Sequence, residues 1–345
     1  MLRVSIFVFL KRYLHTNILI LLKQFISDNP KFVKTIKILL LVTTIGFIVF
    51  KLSYSYDLEK LYSEFNFDFS AKQMAGFVLV FLLMFVNWGL ETSTWKLLIN
   101  KYEPIDFFRA FKAVLSGVTL SVITPNQIGD FMGRVVHLQV LNKIKGSLVT
   151  IIGHTAQVII TGILGTYALL TFVALIDIDI YFIWREIALV LLAFHILIIF
   201  LYIRFDLLYV LLNKIKWLHK FEKYFEVFKA YSKIELSKVI LISFIRYSVF
   251  VIQYYILLQN FGVQIPFITC IAAIVAVFCV QSIIPSFILI EIGLRGASAL
   301  FFFGEFSSNK IGILLSAYSL WMINMMIPAL LGLFFIFQLK YKRTN

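Results

Sequence analysis

Residues 123–134, ITPNQIGDFMGR, place a proline, an acid and an arginine inside a long apolar stretch of the chain. Residues 283–295, IIPSFILIEIGLR, repeat that order, and in both copies the arginine follows the acid by four positions. The two pairs are Asp130 with Arg134 and Glu291 with Arg295. Side chains four positions apart share one face of a helix, so each acid can pair with its arginine. Because charges inside a membrane are expensive, the pattern predicts a functional site in a duplicated membrane protein.

The composition of the chain is typical of a polytopic helical membrane protein. Of its 345 residues 61% are hydrophobic, and the mean hydropathy is +0.93. Several stretches exceed the roughly 18 apolar residues that identify a spanning helix. The longest polar segment, 204–238, is shorter than the roughly 50 residues of a small domain. We therefore expect no separate soluble catalytic domain within these residues.

Six stretches are predicted to span the membrane, and two further apolar regions are interrupted by proline. The predicted spans are residues 36–54, 73–91, 147–174, 185–203, 238–260 and 311–338. The interrupted regions, 110–142 and 267–304, are predicted to be re-entrant hairpins of two half-helices, with two short full spans each as the alternative. Non-helical backbone is tolerated at membrane depth where it lines a cavity or is buried in protein. The residues expected to form the breaks are Pro125, Gly129, Pro285 and Gly293.

The distribution of Lys and Arg predicts the orientation of this all-α fold. With the N-terminus inside and both hairpins re-entrant, cytoplasmic segments hold 24 of the 32 Lys and Arg residues, and outer segments hold five. Cytoplasmic loops carry such an excess. We therefore expect an integral protein of a bacterial plasma or inner membrane with both termini in the cytoplasm. The same bias accounts for the net charge of +14, so nucleic acid is not an expected partner.

In that orientation the two hairpins enter from opposite faces, which is the geometry of an inverted repeat. Many secondary transporters use it, with the substrate site where the repeats meet. The halves are predicted at about 31–203 and 238–340, within a single transmembrane domain that spans 31–340. The alternative is that proline-broken helices pack together without any transport.

Two segments outside the repeats have their own patterns. Residues 204–237 alternate basic and apolar positions, which predicts a cytoplasmic amphipathic helix on the anionic inner leaflet; a solvated basic loop is the alternative. Residues 1–30 form an N-terminal extension in which Lys11 and Arg12 interrupt an apolar run, and no small-residue cleavage site follows. This is a poor signal peptide. An interfacial helix, or a start codon placed too early, is favoured.

Constellations for catalysis or metal binding are weak. Cys270 and Cys279 lie in apolar sequence, and the five histidines have no metal-ligand spacing, so neither a metal nor a cofactor is expected. Asp177 and Asp179 have the DxD spacing of some glycosyltransferases. This keeps open an integral-membrane transferase that acts on lipid-linked substrates. A small-solute or ion transporter and a scaffold are further alternatives.

One stretch, WKLLINKYEPIDFFRAFKAVLSGVTLSVITPNQIGDFMGRVVHL, resembles the first block of the lysylphosphatidylglycerol synthase transmembrane-region family, also called the flippase-like domain family. The residues that carry this resemblance are Trp95, Gly117, Pro125, Gly129, Asp130 and Arg134. GHTAQVIITGILG resembles the helix that follows, and residues 283–304 resemble the second block. There the chain departs from the family pattern, because Glu291 precedes Arg295 instead of following it. The resemblance covers about residues 31–340.

The resemblance implies movement of a lipid, or of a lipid-linked headgroup, between leaflets. The aminoacyl-transferase domain that some relatives carry is not among these residues, so lysyl transfer is not implied. An arginine suits phosphate because its planar guanidinium donates two hydrogen bonds, and a nearby carboxylate can hold it while the site is empty. The expected partners are an anionic membrane lipid and a separate enzyme. A structural ion pair is the alternative for each acid–arginine motif. The expected substrate-binding residues are Asp130, Arg134, Glu291, Arg295, Asn126, Gln127, Gln281 and Arg246.

Overall fold

The computed structural model describes residues 70–122, 124, 127–175, 181–215, 221–284 and 288–338. The predicted span 36–54, the N-terminal extension 1–30 and the DxD residues Asp177 and Asp179 lie outside these ranges. The described residues all belong to one compact unit, Phe69–Gln338. Within them every regular element is a helix.

Twelve α-helices make up this part of the chain. In chain order they are α1 (Ala71–Ile99), α2 (Phe107–Val122), α3 (Gly129–Val135), α4 (Lys143–Leu175), α5 (Tyr181–Ile203), α6 (Asp206–Asn213), α7 (Glu222–Phe225), α8 (Lys233–Asn260), α9 (Phe267–Ile283), α10 (Ile288–Gly304), α11 (Lys310–Trp321) and α12 (Ile327–Gln338). A 3-10 turn, Glu226–Lys229, precedes α8. A π-helical turn, Met322–Met326, joins α11 to α12.

Four of the described helices are long and apolar enough to cross a membrane: α1, α8, Lys143–Phe172 of α4 and the continuous helix Lys310–Gln338. A fifth is added if Leu189–Ile203 and α6, which meet at 82°, count as one span. The chain is therefore an integral helical membrane protein. Helices cover five of the six predicted spans, while the full number of spans, the re-entrant hairpins and the inverted repeat stay predictions.

Two of the long helices begin at capping boxes that their sequences encode. At the start of α1, Ser70 Oγ accepts the Gln73 N–H at 3.3 Å, and Gln73 Oε1 accepts the Ser70 N–H at 3.1 Å. Ser232 and Glu235 make the same reciprocal pair at the start of α8. Each box satisfies backbone donors that the first turn of a helix leaves free.

The inner face of α1 directs the polar side chains of Asn87 and Glu91 into the protein. Its buried positions recur every three or four residues, as expected of a helix with one packed face. Trp95 on this face is 1% exposed, and its indole N–H donates to Thr150 Oγ1 of α4 at 3.1 Å. Asn87 and Glu91 belong to the same face and are also buried. Buried polar groups need partners. The residues that contact Asn87 and Glu91 are therefore where a functional site is to be sought.

The first interrupted region forms a close hairpin of α2 and α3. Gly133 of α3 lies so near α2 that a Cβ atom there would overlap the carbonyl oxygen of Ser116, and one at Gly117 would overlap the Asp130 carboxylate. Between the helices, the Gly129 N–H donates to Thr124 Oγ1 at 2.7 Å. Glycines therefore permit the approach that brings α3 against α2.

The connection 204–237 is not the single amphipathic helix that its sequence predicts. It contains α6, α7, the 3-10 turn and the first turns of α8, and residues 216–220 lie outside the described ranges. Phe205 and Phe228 are only 7% and 5% exposed, and their rings lie 5.3 Å apart. These aromatic side chains are buried in the core. The chain bends between short helices to place them there, whereas one straight helix on a membrane surface could not bury both.

Candidate functional site

The first acid–arginine pair is a buried ion pair on α3. Arg134 Nε lies 2.9 Å from Asp130 Oδ2 and donates to Asp130 Oδ1 at 3.0 Å. The two residues are 3% and 4% exposed. Gln127, in the loop before α3, has φ of 57°, a left-handed conformation that is uncommon for residues other than glycine. The turn at this break therefore sets the position of the pair.

Glu91 of α1 adds a third charge, although it is not among the predicted site residues. Its Oε1 lies 2.8 Å from Arg134 Nη2, and its Oε2 lies 2.7 Å from Arg246 Nη1 of α8. The predicted span ends at residue 91, which would put this carboxylate at the membrane border. The helix continues to Ile99, so Glu91 lies inside it and is 7% exposed. The feature of the sequence that could have identified Glu91 is a single acidic residue at the end of an apolar run.

His154 of α4 also contacts these charges, and it is likewise not among the predicted site residues. Its Nε2 lies 3.0 Å from Asp130 Oδ2, 3.3 Å from Arg134 Nη2 and 3.9 Å from Glu91 Oε1. Its side chain is 35% exposed. The feature of the sequence that could have identified it is a histidine within the apolar stretch GHTAQVIITGILG. We call Glu91, Asp130, Arg134, His154 and Arg246 the charged cluster.

Arg246, a predicted site residue, is oriented by two neighbours on α1. Its Nε donates to Asn87 Oδ1 at 2.8 Å, and its guanidinium carbon lies 5.4 Å from the centre of the Trp88 ring. Both residues are also bound to Asn324 in the π-helical turn: Asn87 Nδ2 donates to its Oδ1 at 3.4 Å, and Trp88 Nε1 donates to its carbonyl oxygen at 3.2 Å. Single-turn π segments are frequent at functional sites. The guanidinium is thus held in a fixed plane.

A cavity of about 270 Å³ lies against the charged cluster. All five cluster members line it, and Val158 and Gln157 of α4 form part of its wall. Val158 is 65% exposed, so the cavity reaches the outer surface of α4. Gln157 Oε1 is buried and has no hydrogen-bond partner among the residues that the structure describes. The remaining lining residues are Trp88, Val118, Ser121, Gln127, Phe250 and Met325.

The second acid–arginine pair is also formed, but it does not line this cavity. Glu291 and Arg295 of α10 make an ion pair across one helical turn. Arg295 Nη1 donates to Gln281 Oε1 of α9 at 3.4 Å, and Gln281 Nε2 donates to Ser298 Oγ at 2.9 Å. The predicted residue Gln281 therefore holds this second arginine. The geometry gives two separate polar clusters within the compact unit.

Other predicted residues fall in different places. Asn126, Pro125 and Pro285 lie outside the described ranges. Gly129 is the first residue of α3, at the break. Gly293 lies inside α10, which begins at Ile288, so it is not where that helix begins.

Glu103 anchors the loop that follows α1, outside the spanning helices. Its carboxylate accepts the backbone N–H groups of residues 139–141 at 2.9 to 3.1 Å and pairs with Arg109 at 2.6 Å. Burial alone would raise the pKa of Glu103, but these hydrogen bonds lower it from 4.5 to about 2. The anchor fixes the C-terminal end of the α2–α3 hairpin near α1.

No group of three or more His, Cys, Asp or Glu side chains arranged to hold a metal ion occurs in the ranges that the structure describes. The charged cluster has acids and cations in direct contact, an arrangement suited to exchanging one ionic partner for another. Its arginines can donate to phosphate or carboxylate, and its acids can accept from an amine or hold a proton.

The sequence model described as the lysylphosphatidylglycerol synthase TM region matches residues 35–332. The chain belongs to this family. The family is a membrane domain associated with lipid handling, and the matched range includes both acid–arginine pairs. No curated protein and no solved structure matched the chain.

Proposed function

We propose that this protein moves an anionic or polyprenyl-phosphate-linked lipid between the leaflets of a membrane, with the headgroup passing through the cavity at the charged cluster. The observation that carries this proposal is a cavity, open at the surface of α4, in which Arg134 and Arg246 both contact Glu91. Two guanidinium groups that share one carboxylate form a site for an anion with two free oxygens, such as a phosphate.

The position of the cavity supports a lipid rather than a small solute. Its wall includes Val158, an exposed apolar side chain on a helix that is long enough to span a membrane. A lipid needs such a site, because its headgroup must be held by polar groups while its tails stay in the hydrocarbon. Gln157 Oε1 offers an unpaired acceptor to hydroxyl or amine groups of the same headgroup.

The second cluster, Glu291 with Arg295 and Gln281, is proposed as a further headgroup station in the other half of an inverted repeat. In this scheme the halves 31–203 and 238–340 enclose a shared path, both hairpins are re-entrant and both termini are cytoplasmic. The protein would lie in a bacterial plasma or inner membrane. Residues 204–237 would contact the inner leaflet, and a separate enzyme would make or use the lipid.

Reconstitution tests this function directly. Purified protein is placed in vesicles that contain phosphatidylglycerol with a fluorescent headgroup-proximal label, and dithionite then destroys label in the outer leaflet only. We expect protein-containing vesicles to lose the inner-leaflet label as well, because lipids exchange between leaflets. Arg134→Ala and Arg246→Ala should slow this loss, whereas Lys101→Ala, which removes a half-exposed cation away from the cavity, should not.

Two results would contradict the proposal. If the inner-leaflet label stays protected at every protein density, and a polyprenyl phosphate probe gives the same result, the protein does not move lipids of this class between leaflets. Appearance of a covalently altered lipid during incubation would instead favour the membrane transferase, with Asp130 and His154 as the pair for proton transfer.

A further inference from the structure

Glu91 occupies the position that an anionic ligand of the two arginines would take. Its Oε1 contacts Arg134 and its Oε2 contacts Arg246, at 2.8 and 2.7 Å. A phosphate group can bridge the same two donors with two of its oxygens. The carboxylate is therefore a competitor built into the site, and a headgroup can bind both arginines only after Glu91 leaves them.

The charge of the cluster constrains this exchange. With Glu91, Asp130, Arg134 and Arg246 ionised and His154 neutral, the formal charges of the five side chains cancel. Entry of a headgroup with one negative charge would leave one uncompensated charge in a buried site, which is costly at low dielectric. Uptake of one proton together with the headgroup restores neutrality.

His154 is the group placed to receive that proton. Its Nε2 lies 3.3 Å from a donor, Arg134 Nη2, and 3.0 Å from an acceptor, Asp130 Oδ2. Neutral Nε2 can accept from the arginine, whereas protonated Nε2 can donate to the aspartate. Asp130 Oδ2 is buried and lacks a well-oriented donor from the described part of the chain. Since the imidazole is 35% exposed, solvent can deliver the proton.

Within the described ranges, each charged group that faces the imidazole takes part in this balance. Asp130 and Arg134 face it from α3 and Glu91 faces it from α1, while Arg246 of α8 lines the same cavity. When Glu91 is displaced, it keeps a cationic neighbour if His154 is protonated, because its Oε1 is already 3.9 Å from Nε2.

We propose that an anionic headgroup displaces Glu91 from Arg134 and Arg246 while His154 takes up one proton from solvent, so that lipid binding is coupled to protonation. Release of the headgroup reverses both events: Glu91 returns to the arginines and Nε2 gives its proton back to solvent. This inference rests on the proposed function, because it assigns proton coupling to the same cavity.

Proton uptake on ligand binding tests the inference in detergent solution. Dihexanoyl phosphatidylglycerol, a soluble phosphodiester, is added to the purified full chain in weak buffer at neutral pH with a pH-indicator dye, and binding is followed by tryptophan fluorescence. We expect about one proton taken up per bound headgroup in the wild-type protein, as linkage between proton and ligand binding requires. Dihexanoyl glycerol, which lacks the phosphate, should cause no uptake.

Two histidine variants identify the group that is protonated. His154→Gln should bind the phosphodiester more weakly and take up fewer protons. His137→Gln should behave as the wild type, since His137 is a buried histidine bonded to Ser116 at 2.8 Å and does not line the cavity. If His154→Gln fails to fold, the comparison of charged and uncharged probes on the wild type still decides whether coupling exists.

The outcomes distinguish proton coupling from the proposed lipid movement. Binding of the phosphodiester without proton uptake would overturn the coupling and leave the lipid site intact. Undiminished uptake in His154→Gln would overturn the role of His154. Failure of the wild type to bind any phosphate-bearing probe would instead count against the proposed function.

Discussion

Glu91 Oε2 and Arg246 Nη1 lie 2.7 Å apart and join α1 to α8, two helices from opposite halves of the predicted repeat. The other oxygen of the same carboxylate contacts Arg134 on α3. One acid therefore connects three helices at the wall of the cavity. This carboxylate is the contact that the two guanidinium groups share, while Asp130 also holds Arg134 and Asn87 also holds Arg246.

Arg246 is expected to contribute to stability as well as to binding. Arg246→Ala leaves Glu91 with Arg134 as its remaining arginine partner, so we expect a loss of about 3 kcal/mol, the lower end of the range for breaking a buried pair. Arg246→Lys should lose less, because it keeps the charge but not the planar contact with Asn87 and Trp88. Thermal unfolding in detergent measures both. Lys101→Ala, which breaks an exposed pair, should cost less than about 1 kcal/mol; equal losses in all three variants would show that Arg246 has no special role.

Gly133 is expected to be essential for the hairpin. A Cβ atom in Gly133→Ala would overlap the Ser116 carbonyl oxygen of α2, and backbone cannot move aside as a flexible side chain can. We expect a marked fall in folded yield. The matched control is Gly162→Ala on α4, which has nothing within 4 Å of its Cβ position and should gain up to about 1 kcal/mol from better helix propensity. Size-exclusion profiles and melting temperatures distinguish the two, and a well-folded Gly133→Ala protein would refute the close packing.

The membrane spans are the feature most accessible to sequence reasoning. Long apolar runs are sufficient to locate α1, α4, α5, α8 and the Lys310–Gln338 helix. A helix that crosses the hydrocarbon core needs a long, nearly uninterrupted apolar sequence, which is easy to recognise. Helix ends are less accessible, since α1 continues past Glu91 through Trp95 to Ile99. That difference places Glu91 inside the helix instead of at its end.

The composition of the charged cluster is only partly predictable. The pairing of Asp130 with Arg134 follows from their spacing on one helix. The contacts of Glu91 with Arg246 and of His154 with Asp130 join different helices, so they depend on packing that local patterns do not encode. The glycines that allow α3 to approach α2 can be seen in the sequence, but their partners cannot.

Glu103 should give the protein an acid-sensitive anchor. Its pKa is about 2 in the folded state against an ordinary 4.5. The unfolded chain therefore binds more protons between these values, and the contribution of Glu103 is complete above pH 4.5 and is lost as the pH falls towards 2. Glu103→Gln should be less stable at neutral pH by about 1.5–3 kcal/mol, the range for hydrogen bonds to a charged group, and should show less loss of stability on acidification.

The pH dependence of unfolding, compared with that of Glu226→Gln, checks this assignment. Glu226 has a carboxylate that is 57% exposed and pairs with Lys145 at 3.4 Å, so its replacement should leave the acid limb unchanged. An acid limb that is the same in Glu103→Gln and the wild type would contradict the anchor.

The inverted repeat can be tested by labelling from one side of the membrane. Lys143→Cys lies at the start of α4, and Ser308→Cys lies between α10 and α11. We expect an impermeant maleimide to reach the first from the cytoplasmic side and the second from the outer side. The native Cys270 and Cys279 are 0% and 3% exposed, so they should give little background. Labelling of both new cysteines from the same side would exclude the predicted topology.

Native mass spectrometry of the purified protein tests the central claim, that the two arginines of the cavity hold a phosphate-bearing lipid headgroup. We predict that the wild-type protein and Lys101→Ala retain a lipid whose fragments contain phosphate, and that Arg134→Ala and Arg246→Ala lose most of it while remaining folded. Retention of the same lipid by all four proteins, or a retained lipid without phosphate, would show that these arginines do not hold a phosphate-bearing headgroup.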